Sequence, residues 1–377
     1  MSFLILPSEL QGETFAYLPG EALATVCLVS KATLALARPI LYRSLPLDFP
    51  FKATSHSTLD ANEHWEEEEY EERKRWQAKL CETLEAHPEW CSYVRRLKIY
   101  LSTSMGTTST APHLSNFTSL KQLEVLEAEA GFDRSTCDFF IPHCPPTVTS
   151  LEICQSNLPS WAVYNLLQRL PLLETLSLGL RDDSAMSRPP GTSLVLAHLH
   201  TLYLHGTSQN TSTFVAVQEA APHLSELQVD YLTVQALDPA HLSAISQFTI
   251  WVDVYPRAQI DPTMRPVEYF EDFVSVLAGC TSLRTFELWN LFPSMNQEDV
   301  EQLESHRILH HLPRSLGRLK LSSVYFTPSY LLDFLSSHAD SLRILVLSSI
   351  VIPSIEGIDD EAEAEVDEIC DSRVLSV

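Results

Sequence analysis

The chain has few of the features on which enzymes depend. Glycine accounts for 10 of 377 residues, and no glycine-rich loop of the kind that holds phosphate groups is present. No Walker, G-x-G-x-x-G, H-E-x-x-H or G-x-S-x-G sequence occurs. We therefore expect no catalytic residues, no cofactor and no metal site, and we interpret the chain as a binding protein rather than an enzyme.

Basic residues are also scarce. The sequence has 25 Lys and Arg against 49 Asp and Glu, a net charge of −24. Nucleic-acid binders usually carry a basic patch that neutralises phosphates, so this balance argues against a nucleic-acid partner. Part of the excess is local, since residues 356–371 contain nine acidic residues and no base. The composition predicts an acidic, disordered tail over residues 356–377.

Paired cysteines and long apolar runs are missing as well. The eight cysteines form no C-x-x-C pair and do not cluster with histidine at zinc-ligand spacing. We expect free thiols in a reducing compartment. The N-terminus has no basic region or cleavage signature, and Lys31 and Arg38 interrupt the most apolar stretch, residues 22–42. These observations predict no membrane segment and a cytoplasmic and/or nuclear location.

What the chain does have is a repeated apolar pattern of the form L-x-x-L-x-L. Its ten copies start at Val94, Leu120, Val148, Leu173, Leu199, Leu224, Ile245, Leu283, Leu316 and Leu342. Most copies are 25 to 28 residues apart, while the seventh and eighth intervals are 38 and 33 residues long. A near-constant period of this length is typical of stacked structural repeats.

Each copy predicts one short strand. The last two apolar residues are two positions apart, so they share one face of a strand, and the first anchors the approach to it. Residues 159–170 and 327–337 between the strands have helical character, and Pro328 after Thr327 suits a first helical position. One such unit cannot bury its apolar edge alone, whereas stacked units form a continuous core.

This pattern resembles the leucine-rich repeat, and the resemblance covers residues 93–355. It implies an α/β solenoid. The asparagine or cysteine usual three residues after the last strand leucine is absent, because Arg181, Thr207, Leu291, Val324 and Ile350 occupy those positions. Regular curvature is therefore not expected. An ordinary α/β domain with leucine-rich strands is the alternative. Residues 181–193 and 252–270 are interpreted as protruding loops.

The first forty-five residues lack the repeat and predict three short helices. Ser8 with Gln11 is interpreted as a capping box, and Ser30 as the cap of the third helix. Arg38-Pro39 is expected to break or restart that helix. Residues 46–92 are expected to form a linker and a capping helix that starts in the charged run 62–75.

The order of residues in this N-terminal segment resembles an F-box. It contains Leu6-Pro7-x-Glu9-Leu10, Phe15, Tyr17-Leu18-Pro19, Leu23, Cys27-Leu28-Val29-Ser30-Lys31 and the continuation Ala37-Arg38-Pro39-Ile40-Leu41-Tyr42-Arg43-Ser44-Leu45 that is common in fungal F-box proteins. The resemblance implies an F-box-like domain over residues 1–45 that binds a Skp1-like protein. The residues it implies for that contact are Leu6, Pro7, Leu10, Phe15, Leu18, Leu23, Leu28 and Val29.

Three positions in the segment depart from the family pattern. Gly12 lies inside the first helix, Thr14 stands where an isoleucine or valine is usual, and Thr33 replaces a usual aromatic residue. An alternative is that the apolar residues only dock the segment onto the first repeat.

The alternation of strand side chains predicts where a target would bind. If the strand leucines face the core, the residues between them line the concave surface. Exposed aromatic residues often mark contact sites, and we expect the target to contact Tyr203, His205, Asp230, Trp251 and Trp289. An alternative is that residues 252–270 cover one or both of the two tryptophans. His306 and His310 are spaced i,i+4, but no third metal ligand is evident.

Together these features predict a substrate-recognition adaptor of a Skp1–cullin–F-box ubiquitin ligase. In this hypothesis the N-terminal helices bind Skp1 and the repeats bind an unknown target protein. The alternative is a leucine-rich-repeat scaffold or inhibitor that does not act in a ubiquitin ligase.

Overall fold

The computed structural model describes most of the repeat region and the N-terminal helices. The described residues are 7–49, 67–101, 114–127, 141–156, 160–180, 194–206, 211–230, 233–234, 237–251, 274–289, 309–322, 328–348 and 373–376. The chain divides into two compact units, Met1–Glu174 and Thr175–Val377. The predicted loops 181–193 and 252–270 and the positions of the missing asparagine ladder lie outside the described residues.

The first unit combines helices with a parallel ladder of strands. Its described helices include α1 (Ser8–Ala16), α2 (Gly20–Cys27), α3 (Lys31–Leu41), α4 (Glu67–Ala86) and α5 (Ser160–Gln168). Its strands are β1 (Ser44–Phe49), β2 (Arg96–Leu101), β3 (Gln122–Glu127) and β4 (Ser150–Ser156). Each strand pairs in parallel with the next one along the chain.

The second unit continues the same pattern. Its strands are β5 (Thr175–Leu180), β6 (Thr201–Gly206), β7 (Glu226–Asp230), β8 (Gln247–Trp251), β9 (Thr285–Trp289), β10 (Arg318–Ser322), β11 (Ile344–Ser348) and β12 (Arg373–Ser376). Its helices include α6 (Thr211–Ala220) and α7 (Pro328–Ser337). Strands β5 to β11 pair in parallel in chain order, and β12 is antiparallel to β11.

The apolar residues of the ten repeats form the core between strands and helices. All are buried except Leu347, which is half-buried. The register aligns equivalent residues on successive strands, for example Leu227 with Phe248 and Phe248 with Phe286. Strands stacked in this way bury a continuous apolar ladder that no single repeat could bury. The fold is therefore the α/β leucine-rich-repeat solenoid that the periodicity predicts.

Adjacent repeats are tied together where each strand begins. The carbonyl of Lys121, directly before β3, accepts the backbone N–H groups of Thr149 and Ser150, and equivalent pairs recur before most strands. The hydroxyl groups of Thr149, Ser225 and Ser246 at this same position also donate to carbonyls of the preceding repeat. Serine and threonine thus supply side-chain ties at the strand entry.

Strand β1 precedes the first predicted repeat. Leu45 and Leu47 are buried and lie in register with Leu97 and Ile99 of β2. As an edge strand, β1 exposes backbone groups that could pair with another chain. Pro46 offers no N–H on this strand, and its carbonyl accepts a hydrogen bond from the buried Gln77 side chain of α4. Helix α4 therefore covers part of the strand edge and caps the first unit.

The three predicted N-terminal helices are confirmed, but two details of their ends are wrong. Pro7, not Ser8, is the N-cap of α1, and no side-chain cap bond forms there. Helix α3 does not break at Arg38-Pro39 but continues to Leu41, because Pro39 lies in the last turn and forfeits only one backbone bond. The Ser30 cap is confirmed, and its partner in a capping box is Thr33.

The C-terminal residues contain one short strand. Residues 373–376, within the segment predicted to be a disordered tail, form β12 along the edge of β11. Two adjacent apolar residues, Val374 and Leu375, suit such pairing, and the charge count that predicts disorder comes from residues before them. Among the described residues, no helix is long and apolar enough to cross a membrane.

Candidate protein-binding surfaces

Strands β5 to β11 present a second face, opposite the leucine core, which we call the open face. Its side chains alternate with the core residues, and in β7, β9 and β10 a half-buried residue alternates with a buried one. The register pairs Asp230 with Trp251 and Trp251 with Trp289. Three of the five predicted target-binding residues therefore form one row across adjacent strands.

The other two predicted residues lie on β6. Tyr203 is half-buried and in register with Gln228 of β7, so it belongs to the neighbouring row of the open face. His205 pairs with Gly179 through the backbone, and its side chain lies outside the described residues. The structure thus places both residues on the strand that precedes Asp230 in the sheet.

Trp289 contacts two neighbouring side chains, one of which is paired with a third. The Lys320 ammonium lies 3.6 Å from the centroid of the indole ring, and the indole N–H donates to Glu287 Oε2 at 3.3 Å. Glu287 Oε1 also pairs with Arg318 Nη2 at 3.4 Å, and the Glu287 side chain is only 15% exposed. These contacts hold the tryptophan ring in one orientation before any partner arrives. The alternation along the strands predicts Trp289 on the open face, but no sequence pattern indicates this network.

On strand β7, two strands away from Trp289, the open face carries carboxylates. Glu226 accepts hydrogen bonds from the Thr201 hydroxyl at 3.2 Å and from the Gln247 amide at 3.1 Å, both of which are neutral. Asp230 Oδ1 accepts bonds from the backbone N–H and the hydroxyl of Thr233. The charge on the open face therefore changes along the sheet, from acidic at β7 to basic at β10.

The three N-terminal helices present a separate apolar surface. Four large apolar side chains are exposed there: Leu10 by 47%, Tyr17 by 89%, Leu28 by 87% and Val29 by 66%. Leu10 and Tyr17 are seven residues apart in and just after α1, so they point to similar sides of that helix. Exposed apolar groups at this density on a small unit are typical of a protein contact.

The residues that the F-box resemblance implies for Skp1 contact fall into two groups. Pro7, Leu10, Leu28 and Val29 are exposed, whereas Phe15 and Leu23 are buried with Ala37 in the core of the three helices. Leu18 packs against this core, and Leu6 lies outside the described residues. Tyr17 was not among the implied contact residues, although its spacing from Leu10 is a usable signal.

Two of the three residues that depart from the F-box pattern form local hydrogen bonds, and the third has no structural explanation. Thr33 is buried and closes the capping box with Ser30, a role that an aromatic side chain could not take. The hydroxyl of Thr14 donates to the Leu10 carbonyl one turn earlier. Nothing in the structure requires glycine at position 12, since an added Cβ would meet no atom within 4 Å.

A stack of side chains joins the three helices to the first strands. The Arg38 guanidinium of α3 lies 4.3 Å from the centroid of the Trp90 ring, and the His87 ring stacks on Trp90 at 4.3 Å and 9°. Tyr42 packs against the same indole with its ring centroid 5.3 Å away. The three N-terminal helices are therefore anchored to the polypeptide that leads directly into β2.

The described residues offer little reactive chemistry. They contain no group of three or more metal-ligating side chains. His310 and His311 are exposed, and His306 lies outside the described residues. Burial raises the pKa of the Cys144 and Cys280 thiols to about 12, which suppresses the nucleophilic thiolate at neutral pH.

The leucine-rich-repeat fold is defined by parallel strands that pair in the order of the chain and bury the apolar residues of an L-x-x-L-x-L pattern. No protein-family model matches the sequence, and no curated protein is significantly similar to it. Among solved structures, the chain resembles the leucine-rich-repeat-containing protein LegL7 from Legionella pneumophila. The two share 14% identity and a TM-score of 0.34, and the match covers 65% of this chain and 90% of LegL7.

A second similar structure is the complex of Rad7 and Elc1 in yeast. The identity is 13% and the TM-score 0.33, and the match covers 74% of this chain and 76% of the other. Both likenesses are distant in sequence and in structure.

Proposed function

We propose that this chain is the substrate-recognition adaptor of a Skp1–cullin–F-box ubiquitin ligase. Its N-terminal helices bind a Skp1-like protein, and its repeats hold a target protein. The chain itself makes and breaks no covalent bond, because the transfer of ubiquitin is carried out by other subunits. It binds neither nucleic acid nor a membrane and acts in the cytoplasm and/or nucleus.

The observation that carries this proposal is that the three helices bury some of their apolar side chains in a core and leave others exposed. Phe15, Leu23 and Ala37 form the core of the unit, and Leu28 and Val29 are not among the apolar side chains that pack against it. Leu28 and Val29 remain largely exposed at the C-terminal end of α2. Exposed leucine and valine side chains lower solubility, and burial against a partner offsets that cost.

A direct binding assay tests the Skp1 contact. The full chain is co-expressed with Skp1 and analysed by size-exclusion chromatography, as wild type and as Leu28→Glu with Val29→Glu. We expect a stable complex for the wild type and none for the double variant, because two charges would have to be buried at the contact.

A matched control is available on α7. Leu332 is 63% exposed on a different element, so Leu332→Glu adds a charge to an exposed apolar position without affecting the Skp1 contact. Failure of the wild type to bind Skp1, or equal binding by the double variant, would overturn the proposal.

The second candidate is a leucine-rich-repeat scaffold or inhibitor outside any ligase. It is favoured by the open face, which holds a preordered tryptophan whatever the three helices bind. This function predicts that target binding survives Leu6→Ala with Pro7→Ala and that the lifetime of the target in cells does not depend on the chain. Accumulation of the target in cells in which the Leu6→Ala, Pro7→Ala variant replaces the wild type would contradict this second function.

A further inference from the structure

Two tryptophans and an aspartate occupy neighbouring positions on the open face, and this arrangement favours a partner of one charge. Trp251 and Trp289 are register neighbours on β8 and β9, and neighbouring strands are about 4.8 Å apart. Asp230 is the register neighbour of Trp251 on the other side. All three residues are half-buried, so each presents part of its surface. Two indole rings and a carboxylate therefore lie side by side.

The Trp289 ring is already used as a cation site. The Lys320 ammonium lies 3.6 Å from its centroid, within the range of a cation–π contact. Glu287 accepts the indole N–H of the same residue, which places a carboxylate beside the ring. The contact with Lys320 thus shows that the Trp289 ring accommodates an ammonium group.

The charges around the tryptophans favour a cation as well. Arg318 and Lys320, the bases of β10, are engaged with Glu287 and with the Trp289 ring respectively. Glu226 on β7 accepts hydrogen bonds from the neutral Thr201 hydroxyl and Gln247 amide, so neither of these contacts supplies a compensating positive charge. The whole chain carries −24, so a basic partner is attracted at long range and an acidic or phosphorylated one is repelled.

We propose that the open face of β7 to β9 binds a Lys- or Arg-containing, extended segment of the target protein. The cationic group lies against the tryptophan rings, where it competes with Lys320 for Trp289, and the carboxylates of Glu226 and Asp230 complement the charge of the segment. This inference rests on the proposed function, in which the repeats hold the target, and it adds the chemical class of the segment that is held.

The test uses three fluorescent pools of degenerate 12-residue peptides with the purified full chain. The pools differ only at two central positions, which are Lys or Arg, Glu, or phosphoserine. Fluorescence polarisation at low salt gives the affinity for each pool. We expect the basic pool to bind, its affinity to fall as NaCl is added, and the other two pools to bind far more weakly.

Two matched double variants separate the site from the general charge of the chain. Glu226→Gln with Asp230→Asn removes two charges from the open face and keeps hydrogen-bond acceptors, and we expect about tenfold weaker binding of the basic pool. Asp333→Asn with Asp340→Asn removes two charges from exposed positions on and after α7 and should leave the affinity unchanged.

A third variant tests the cation–π contact itself. Lys320→Ala uncovers the Trp289 ring and removes a positive charge, so the basic pool should bind about fivefold more tightly. Weaker binding by this variant would mean that Lys320 contacts the partner, which contradicts the proposal.

Other results would also overturn the inference. Tighter binding of the phosphoserine pool would identify an anion-binding face, and equal losses in the two double variants would indicate non-specific attraction. Binding of no pool would exclude recognition by charge in a short segment. Because Skp1 binding is measured separately, a chain that binds the basic pool but not Skp1 refutes the ligase role and leaves this surface intact.

Discussion

Gly279 occupies a position at which a side chain has no room. A Cβ atom there would lie 2.6 Å from the carbonyl oxygen of Pro239, and because that atom belongs to the backbone it cannot move aside easily. Gly12 is the opposite case, since an added Cβ would meet nothing within 4 Å inside helix α1. The two glycines differ in their surroundings, so alanine has opposite effects at the two positions.

We predict that Gly279→Ala destabilises the protein by about 1–3 kcal/mol, the usual cost of overpacking. Gly12→Ala should stabilise α1 by about 1 kcal/mol, because alanine loses less backbone entropy in a helix. Urea unfolding followed by circular dichroism measures both variants. Equal effects of the two substitutions would contradict the close approach of Gly279 to Pro239.

The buried cysteines predict how stability depends on pH. Burial raises the pKa of Cys144 and Cys280 to about 12 and that of Cys91 to about 11, whereas an unfolded thiol has a pKa of about 8.5. The folded state therefore binds these protons more tightly than the unfolded state does. This contribution to stability is complete below about pH 8.5 and is lost as the pH rises towards 11 to 12.

We expect the free energy of unfolding to fall between pH 8.5 and 10.5, by at most about 1.4 kcal/mol per pH unit for each buried thiol. Cys280→Ala should make this fall less steep, because it removes one of the ionising groups. Urea unfolding at a series of pH values measures the slope. A slope that is the same in the variant would mean that Cys280 does not contribute.

At the scale of elements, α3 depends on the capping box at its N-terminus. The Ser30 hydroxyl accepts the Thr33 N–H at 3.1 Å, and the Thr33 hydroxyl accepts the Ser30 N–H at 3.0 Å. Two backbone donors that the helix itself cannot satisfy are thereby bonded. Helix α3 also carries Arg38, which packs on Trp90, so its first turn and its last turn are both fixed.

We predict that Ser30→Ala destabilises the N-terminal helices by about 1 kcal/mol. Ser8→Ala is the matched control, since Ser8 follows the N-cap of α1 and no side-chain bond caps that helix. Hydrogen exchange of the α1, α2 and α3 amides reports the effect. Faster exchange for both variants alike would contradict the assignment of the cap.

The sequence predicts strands better than it predicts helix ends. The L-x-x-L-x-L spacing identifies β2 to β11, because a two-residue period with a third apolar anchor rarely arises except in a repeated strand. Strand β1 escapes this search, since Tyr42 replaces the anchor leucine and Pro46 lies in the strand. The prediction of Ser8 as an N-cap is wrong because serine is common both at the N-cap and in the first turn of a helix. Only the backbone geometry distinguishes these two positions.

The candidate binding surfaces are only partly accessible to sequence reasoning. Alternation along each strand places Trp251 and Trp289 on the open face, and alignment of the core leucines even implies that they are neighbours. The contact between Lys320 and the Trp289 ring depends on side-chain conformation, which no sequence pattern encodes. The F-box resemblance likewise does not separate the buried Phe15 and Leu23 from the exposed Leu28 and Val29, because all four are apolar.

At the scale of the whole molecule, β12 covers the edge that the parallel ladder leaves open. It pairs antiparallel with β11, with Leu345 opposite Leu375 and Val346 opposite Val374. An uncovered edge strand presents unpaired N–H and C=O groups to other chains. Strand β1 of the first unit is covered in part by Gln77 of α4, whereas β11 of the second unit is covered by β12.

We predict that deletion of residues 373–377 causes concentration-dependent self-association, because the edge of β11 becomes available for pairing. Val374→Pro should have the same effect by removing a strand N–H, while Val374→Thr should not. Sedimentation velocity over a range of concentrations measures the association. A deletion variant that stays monomeric would show that β12 does not protect this edge.

The chain order of the ladder also bears on how the protein is made. Within each unit, each parallel strand after the first pairs with the strand before it, so its partner has already been synthesised when it leaves the ribosome. Short separations between contacting residues favour fast folding, and each new repeat adds to an existing surface. Helices α1, α2 and α3, complete by Leu41, emerge before strands β1 to β12, so their exposed side chains are accessible to a partner while the repeats are still being translated.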